Sequence, residues 1–562
     1  MKFLCVLGVL CGLCLSAFAL DREAFSITKY DLRARIEPEQ QRLAVRGKIT
    51  LRNDSQAPQK HAILQVSSTL GWRSIRVAGN AVQFVTQTYT SDIDHTGALS
   101  EAIVTLPGEV PPQGTAELEI GYEGTVPLEA KRLTRIGVPE AEAKQTDWDQ
   151  IGPTTVVRGA GYVAWYPIAT EAANLSDDNS LFETLGRWNV RERGAEFRVT
   201  FQYEGDEQTL LCQHGSDGAE PENSGTSSHA VACAMTPLAG ATPFFALGNY
   251  DANVQSAATV YFLPGNESPA ERFASAAGQV RLFVSDWFGG RSGAIQIIEL
   301  NAATAASFET GTTLFVPFHS ADFKSMQIMA AHQLTHAFFP SPRLWVEEGL
   351  AHFVQALYRQ QQDGKEAGLT FMAAHADALK AAEARSKDPA ADSLVNTFRE
   401  EFFRTKAMYV WWMLRDMVGE DALKKALNEY RPEQDKEASY MQRLIAKQSS
   451  KDLEWFFDDW VYRDRGLPDF RVVSVYPRKT LRGAYLVTVT VENLGQAGAE
   501  VPVTARSSAG ETTERLLVRG KAQASIRLET PNLPEQIILN DGSIPESDMS
   551  NNTFTVQAAQ PE

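Results

Sequence analysis

The stretch His332-Gln333-Leu334-Thr335-His336, followed beyond Pro340 and Pro342 by Leu344-Trp345-Val346-Glu347-Glu348-Gly349-Leu350-Ala351, decides how the chain is read. Residues 326–338 carry apolar side chains at helical spacing. His332 and His336, four apart, therefore lie on one helix face and can each aim a ring nitrogen at one ion. The two prolines end that helix, and the apolar pattern of residues 345–359 starts another. An antiparallel return brings a carboxylate of the second helix back to the two rings. Two His and one Glu form the ligand set of zinc sites that keep one position open. The competing reading makes the histidines capped core residues and the glutamates a solvated face.

Outward from this helical pair, the hydrophobic period divides the chain. At 562 residues it is too long for one hydrophobic core. From residue 26 to about 253, alternating runs at 30–36, 44–52, 62–66, 116–122, 195–203 and 230–235 are separated by Gly, Pro and Asn, the pattern of an antiparallel β domain. Residues 216–228, rich in Gly, Ser and acids, read as a surface loop. At Pro269 the period turns helical. Two strand-like runs, 294–300 and 312–318, precede helices at 326–338, 345–359, 398–418, 422–430, 440–447 and 453–462, and Arg465-Gly466-Leu467-Pro468 supplies the stop. Beyond Asp469 alternation returns in short runs that predict an immunoglobulin-like β-sandwich, with the acidic, Asn-rich residues 541–552 as its last surface loop and edge. The chain thus reads as a multidomain α+β protein with an N-terminal antiparallel β domain over 20–265, a mainly α domain over 266–468 and a C-terminal β-sandwich over 469–562.

Residues 1–19 have a charged start, an apolar middle and the exit Ala17-Phe18-Ala19, which predicts a secretory signal peptide. The apolar run is shorter than a membrane span needs, and no longer one follows, so no membrane span is expected after signal removal. Three of the five cysteines fall in this segment; Cys212 and Cys233 remain, an even pair that in an oxidising compartment most simply forms a disulfide. A periplasmic or secreted location follows. The formal charge of −17 repels nucleic acid and anionic membranes, so neither is expected as a partner.

Residues 290–470 resemble the catalytic domain of the membrane alanyl aminopeptidase family, gluzincin zinc metallopeptidases with a His-Glu-x-x-His helix and a second helix reading Trp-Leu-Asn-Glu-Gly-Phe-Ala. Residues 344–353 match the second helix closely. Lys406-Ala-Met-Tyr-Val-Trp-Trp-Met-Leu-Arg-Asp-Met-Val-Gly419 resembles a later family helix, and Leu453 with Trp455-Phe456-Phe457-Asp458 and Trp460 resembles another. The resemblance implies a thermolysin-like mainly α catalytic domain. It implies one zinc ion on His332, His336 and Glu348, and peptides or unfolded polypeptide termini as partners. Ser307-Phe308-Glu309-Thr310-Gly311 stands where the family carries Gly-Ala-Met-Glu-Asn, which makes Glu309 the expected holder of a peptide amino terminus, against the reading of an exposed strand-end acid.

Three departures bear on catalysis. Gln333 occupies the general-base position, and an amide cannot accept the proton that a carboxylate takes from the attacking water. Arg404 occupies the position of the family's transition-state tyrosine, where it is either an oxyanion donor or an ordinary surface charge. The connection from His336 to Glu348, eleven residues, is also shorter than the family's. Three functions follow: an exported metallo-aminopeptidase with impaired catalysis, an inactive zinc- or peptide-binding pseudopeptidase, and a metal-free structural module.

Overall fold

The computed structural model describes residues 20–177, 180–205, 208–213, 216–217, 228–255, 258–290, 295–318, 322–386 and 392–556. The expected signal peptide lies outside the described residues. So does most of the expected loop 216–228, of which Ser216 and Asp217 form a short strand paired with Ser228–Met235.

The N-terminal domain is built on an eight-stranded sheet. In its middle β1 (Phe25–Glu37) shows strict alternation from Tyr30 to Ile36, with Tyr30, Leu32, Ala34 and Ile36 buried and the residues between them exposed. β1 pairs antiparallel with Arg42–Asn53 but parallel with Glu196–Glu204, so the domain is mixed rather than antiparallel as expected. Alternation reports which face is buried and says nothing of strand direction. The long excursion between β1 and residue 196 supplies the crossover that a parallel pair needs. Cys212 and Cys233 are joined as a disulfide, with Cα atoms 6.1 Å apart.

Helix α1 (Ser180–Glu192) lies inside the stretch read as β. Its buried face, Leu181, Thr184, Trp188 and Glu192, has helical spacing, but thirteen residues among turn formers hide it. Gly186 lets it approach the helical domain, since a Cβ there would stand 2.1 Å from the Phe398 ring. The Glu192 carboxylate is buried and accepts from the Ile27 amide at 2.8 Å. Burial, only partly offset by that bond and by Arg191, pushes its carboxyl up to about 8. A carboxyl raised from 4.5 to about 8 on folding contributes stability that is full below about 4.5 and is lost as pH rises towards 8. Thermal melts of Glu192→Gln should therefore match wild type near pH 5 and exceed it near pH 8. An equal gain at both pH values would contradict this.

The helical domain opens with a five-stranded sheet ordered Asp251–Val254, Ala258–Phe262, β2 (Ile295–Glu299), β3 (Thr313–Val316) and Phe308–Thr310. Its first two strands lie upstream of the expected boundary at 266. The run Ala258–Phe262, helix α2 (Glu267–Phe288) and β2 form a parallel crossover, and Phe308–Thr310 adds an antiparallel edge to β3. On the sheet pack α2, α3 (Phe323–Phe338) and α4 (Leu344–Asp363), with α5 (Ala407–Val418) behind α4. The helices at Lys365–Ala373 and Ala376–Arg385 were not expected from the sequence. Among the described residues no helix is long and apolar enough to cross a membrane.

The C-terminal domain is a sandwich of a three-stranded sheet (Phe470–Lys479, Tyr485–Asn493, Gln523–Thr530) and a four-stranded one (Gly510–Val518, Ala499–Ser507, Gln536–Leu539, Thr553–Thr555). Residues 541–552 are less exposed than expected, because Ser543, Glu546 and Asn552 are buried. Glu546 is enclosed by donors, from the Phe470 amide at 2.9 Å and the Asn552 side chain at 2.8 Å, with Asn540 as a third.

Candidate metal centre

Helix α3 is started by Asp322, whose side chain accepts from the Ser325 amide at 3.0 Å. Leu334 and Ala330 anchor it in the core, which turns His332 and His336 outwards on one face. Their Nε2 atoms stand 3.2 Å apart. The Pro-bounded turn brings α4 back as expected. It is held close to α5 because residue 349 is glycine: a Cβ there would lie 2.5 Å from the Ala407 Cβ. Behind it, Trp345 and Trp411 stack with centroids 5.1 Å apart, and Trp411 and Trp412 are core residues.

This packing puts Glu348 beside the histidines, Oε1 3.6 Å from His336 Nε2 and Oε2 4.0 Å from His332 Nε2. Glu309, on the edge strand, approaches from the other side, Oε1 3.8 Å from His332 Nε2. The ligand atoms of Glu309, His332 and His336 all lie within 4.8 Å of one another. Four predicted site residues thus converge. Glu347 does not join the histidines. It faces the other side of α4, where burial, then the neighbouring Glu348 charge, pushes its carboxyl up to about 8.

Arg404, its side chain 31% exposed, lines the cleft and is ion-paired with two glutamates. Residues 398–418 were expected to run as one helix, but Glu401–Lys406 is a π-helical turn, an uncommon form often found at functional sites. From it the Arg404 Nε donates to Glu348 Oε2 at 2.9 Å, while its other arm pairs with Glu400. Gln333 also points at protein groups: Nε2 donates to the Phe308 carbonyl at 3.2 Å and to Glu309 Oε2 at 3.4 Å. Its Oε1 has no hydrogen-bond partner among the described residues.

The electrostatics suit cation binding. Burial, and for His332 also the neighbouring His336, pushes both imidazoles below their ordinary range, so both are neutral and offer a lone pair at neutral pH. Burial raises the Glu348 carboxyl, but His336, Arg404 and His332 outweigh it and hold it down at about 2. Burial dominates at Glu309 and moves its carboxyl up. Two imidazoles and two carboxylates are donors that a zinc ion accepts.

The centre opens into a cleft of about 790 Å³. Its walls include Gln333, Met329, Phe371, Arg404 and His352, and among the described residues lining it there is no tyrosine. His352 was missed by sequence reasoning. Its ring centroid lies 5.1 Å from that of His332, and the signal for it was the spacing of four from Glu348 on the same helix.

No protein family is matched by the sequence, and no curated protein matches it. Solved structures do. An aminopeptidase A from Legionella pneumophila, solved in complex with aspartic acid, superimposes over 93% of this chain with a TM-score of 0.61 at 12% identity. The three-domain fold is shared with that aminopeptidase. The present chain spans 59% of that protein's length. An M1 zinc metallopeptidase from Deinococcus radiodurans matches 76% of this chain and 90% of its own at 18% identity, with a TM-score of 0.47. At such identities the likeness is one of fold, and what the site does has to come from its own residues.

Proposed function

We propose that this protein is an exported zinc metallopeptidase-like protein related to aminopeptidases, which binds the amino-terminal end of a peptide in the cleft but hydrolyses it poorly. One zinc ion is held by His332, His336 and Glu348. When bound, it supplies Lewis acidity towards a peptide carbonyl and towards water. Glu309 meets the amino terminus. The observation that supports impaired catalysis is the orientation of Gln333: its amide is spent on the Phe308 carbonyl and Glu309, and it has no basic atom to take a proton. Arg404 bonds Glu348 from the position where a hydroxyl donor was expected. The disulfide and the expected signal peptide support export to the periplasm or outside the cell.

The second reading, a pseudopeptidase that binds zinc or peptide and cleaves nothing, is favoured by the joint loss of base and tyrosine. Calorimetry on the zinc-loaded protein tests the cleft in either case. A short peptide with a free amino terminus should bind and be recovered intact, and its N-acetylated counterpart should bind at least about tenfold more weakly, the loss of one charge-assisted contact. Equal affinity for the two peptides would remove Glu309 from amine recognition.

A further inference from the structure

The two carboxylates at the centre are presented in the same way. Glu348 has one oxygen, Oε1, turned to His336, and the other held by the Arg404 guanidinium at 2.9 Å. Glu309 has Oε1 turned to His332, and Oε2 held by the Gln333 amide at 3.4 Å. A carboxylate with one oxygen tied by a donor and the other aimed at an imidazole nitrogen is the arrangement of a metal ligand oriented by an outer partner.

The spacing agrees. Ligand atoms each about 2.1 Å from one tetrahedral ion lie ~3.4 Å from one another. Here His332 to His336 is 3.2 Å, His336 to Glu348 Oε1 3.6 Å and His332 to Glu309 Oε1 3.8 Å, while the 4.0 Å from His332 to Glu348 runs to Oε2, the oxygen that Arg404 holds. The Glu309 and His336 ligand atoms are within 4.8 Å. Glu309 sits on a short strand pinned by its pairing to β3 and by the Thr310 hydroxyl, which donates to the Thr242 carbonyl at 3.1 Å.

We infer that Glu309 is a fourth protein ligand, so that in the peptide-free protein the metal is enclosed by His332, His336, Glu348 and Glu309, and the position a hydrolytic site keeps for water is closed. This rests on the proposed zinc site at the histidine pair and deepens it. It also gives Gln333 a positive role. An amide at 333 can donate to Glu309, whereas an ionised carboxylate there would repel it, so the residue that removes the base is the residue that places the extra ligand. A peptide amine pairing with Glu309 would draw it off the metal and open the fourth position, which couples peptide binding to weaker metal retention.

Zinc affinity measured by chelator competition on the full chain tests this. Glu309→Gln, which keeps the shape of the side chain, should weaken zinc binding by about tenfold or more, and Glu309→Ala should do the same. In the wild type, a saturating free-amine peptide should shift zinc affinity towards that of Glu309→Gln. Metal-free melts of both variants should match wild type, which separates ligand loss from misfolding. Unchanged zinc affinity in Glu309→Gln and Glu309→Ala would overturn the inference and leave the three-ligand site intact. Failure of the wild type to bind zinc at all would overturn both.

Discussion

Zinc-loaded Gln333→Glu protein should hydrolyse an aminoacyl-nitroanilide roughly 10²- to 10⁴-fold faster than wild type, the contribution of a positioned general base. Gln333 sits on the same helix turn as His332, and its amide reaches Glu309, so a carboxylate of the same length would face the cleft from the same place. The change acts twice. It supplies a proton acceptor, and it removes the donor that holds Glu309 beside His332, since two ionised carboxylates at this separation repel. The gain should appear in kcat more than in KM, because the new group acts on the reacting water and not on the peptide. Its ceiling is set by Arg404, which remains in place of a hydroxyl donor and stays engaged with Glu348. Equal rates in the two proteins at equal zinc content would mean that another group serves as base.

His336→Ala should abolish the stabilisation that zinc gives the fold. A ligand that binds only the native state at a thousand times its dissociation constant adds about 4 kcal/mol, which appears as a rise of several degrees in the melting temperature. His336 lies between His332 and Glu348, 3.2 and 3.6 Å from their ligand atoms, so its loss breaks two of the closest contacts at the centre. The imidazole is only 10% exposed, so the zinc-dependent shift of the alanine variant is read against that variant's own metal-free melting temperature. Zinc titrations followed by melting should show a clear upward shift in wild type and none in His336→Ala over the same concentrations. A full shift in the variant would place the ion elsewhere.

Much of this centre was legible because it depends on local spacing. The spacing of four from His332 to His336, two prolines and a returning helix fix three groups in space without any knowledge of the rest of the fold. Glu309 was reached through the resemblance of residues 307–311 to a family segment, and not from a local pattern of its own. Other features depend on long-range contact. The π-helical turn that aims Arg404 at Glu348 arises inside an uninterrupted helical pattern, so nothing in residues 398–418 announced it. The bond from Gln333 to Glu309 joins residues 24 apart through the sheet edge. The parallel pairing of β1 with Glu196–Glu204 is likewise invisible to an alternation that is the same for either direction. Helix α1 shows the remaining difficulty: short and bounded by turn formers, it acquires its meaning only where Gly186 admits the Phe398 ring.

The account depends on a metal being held at the histidine pair, and elemental analysis of the purified full chain after zinc loading and removal of free metal addresses that most directly. One zinc per chain in the wild type, falling to a trace in His332→Ala, is the predicted result. No bound zinc in the wild type, or one zinc retained in the variant, would contradict it.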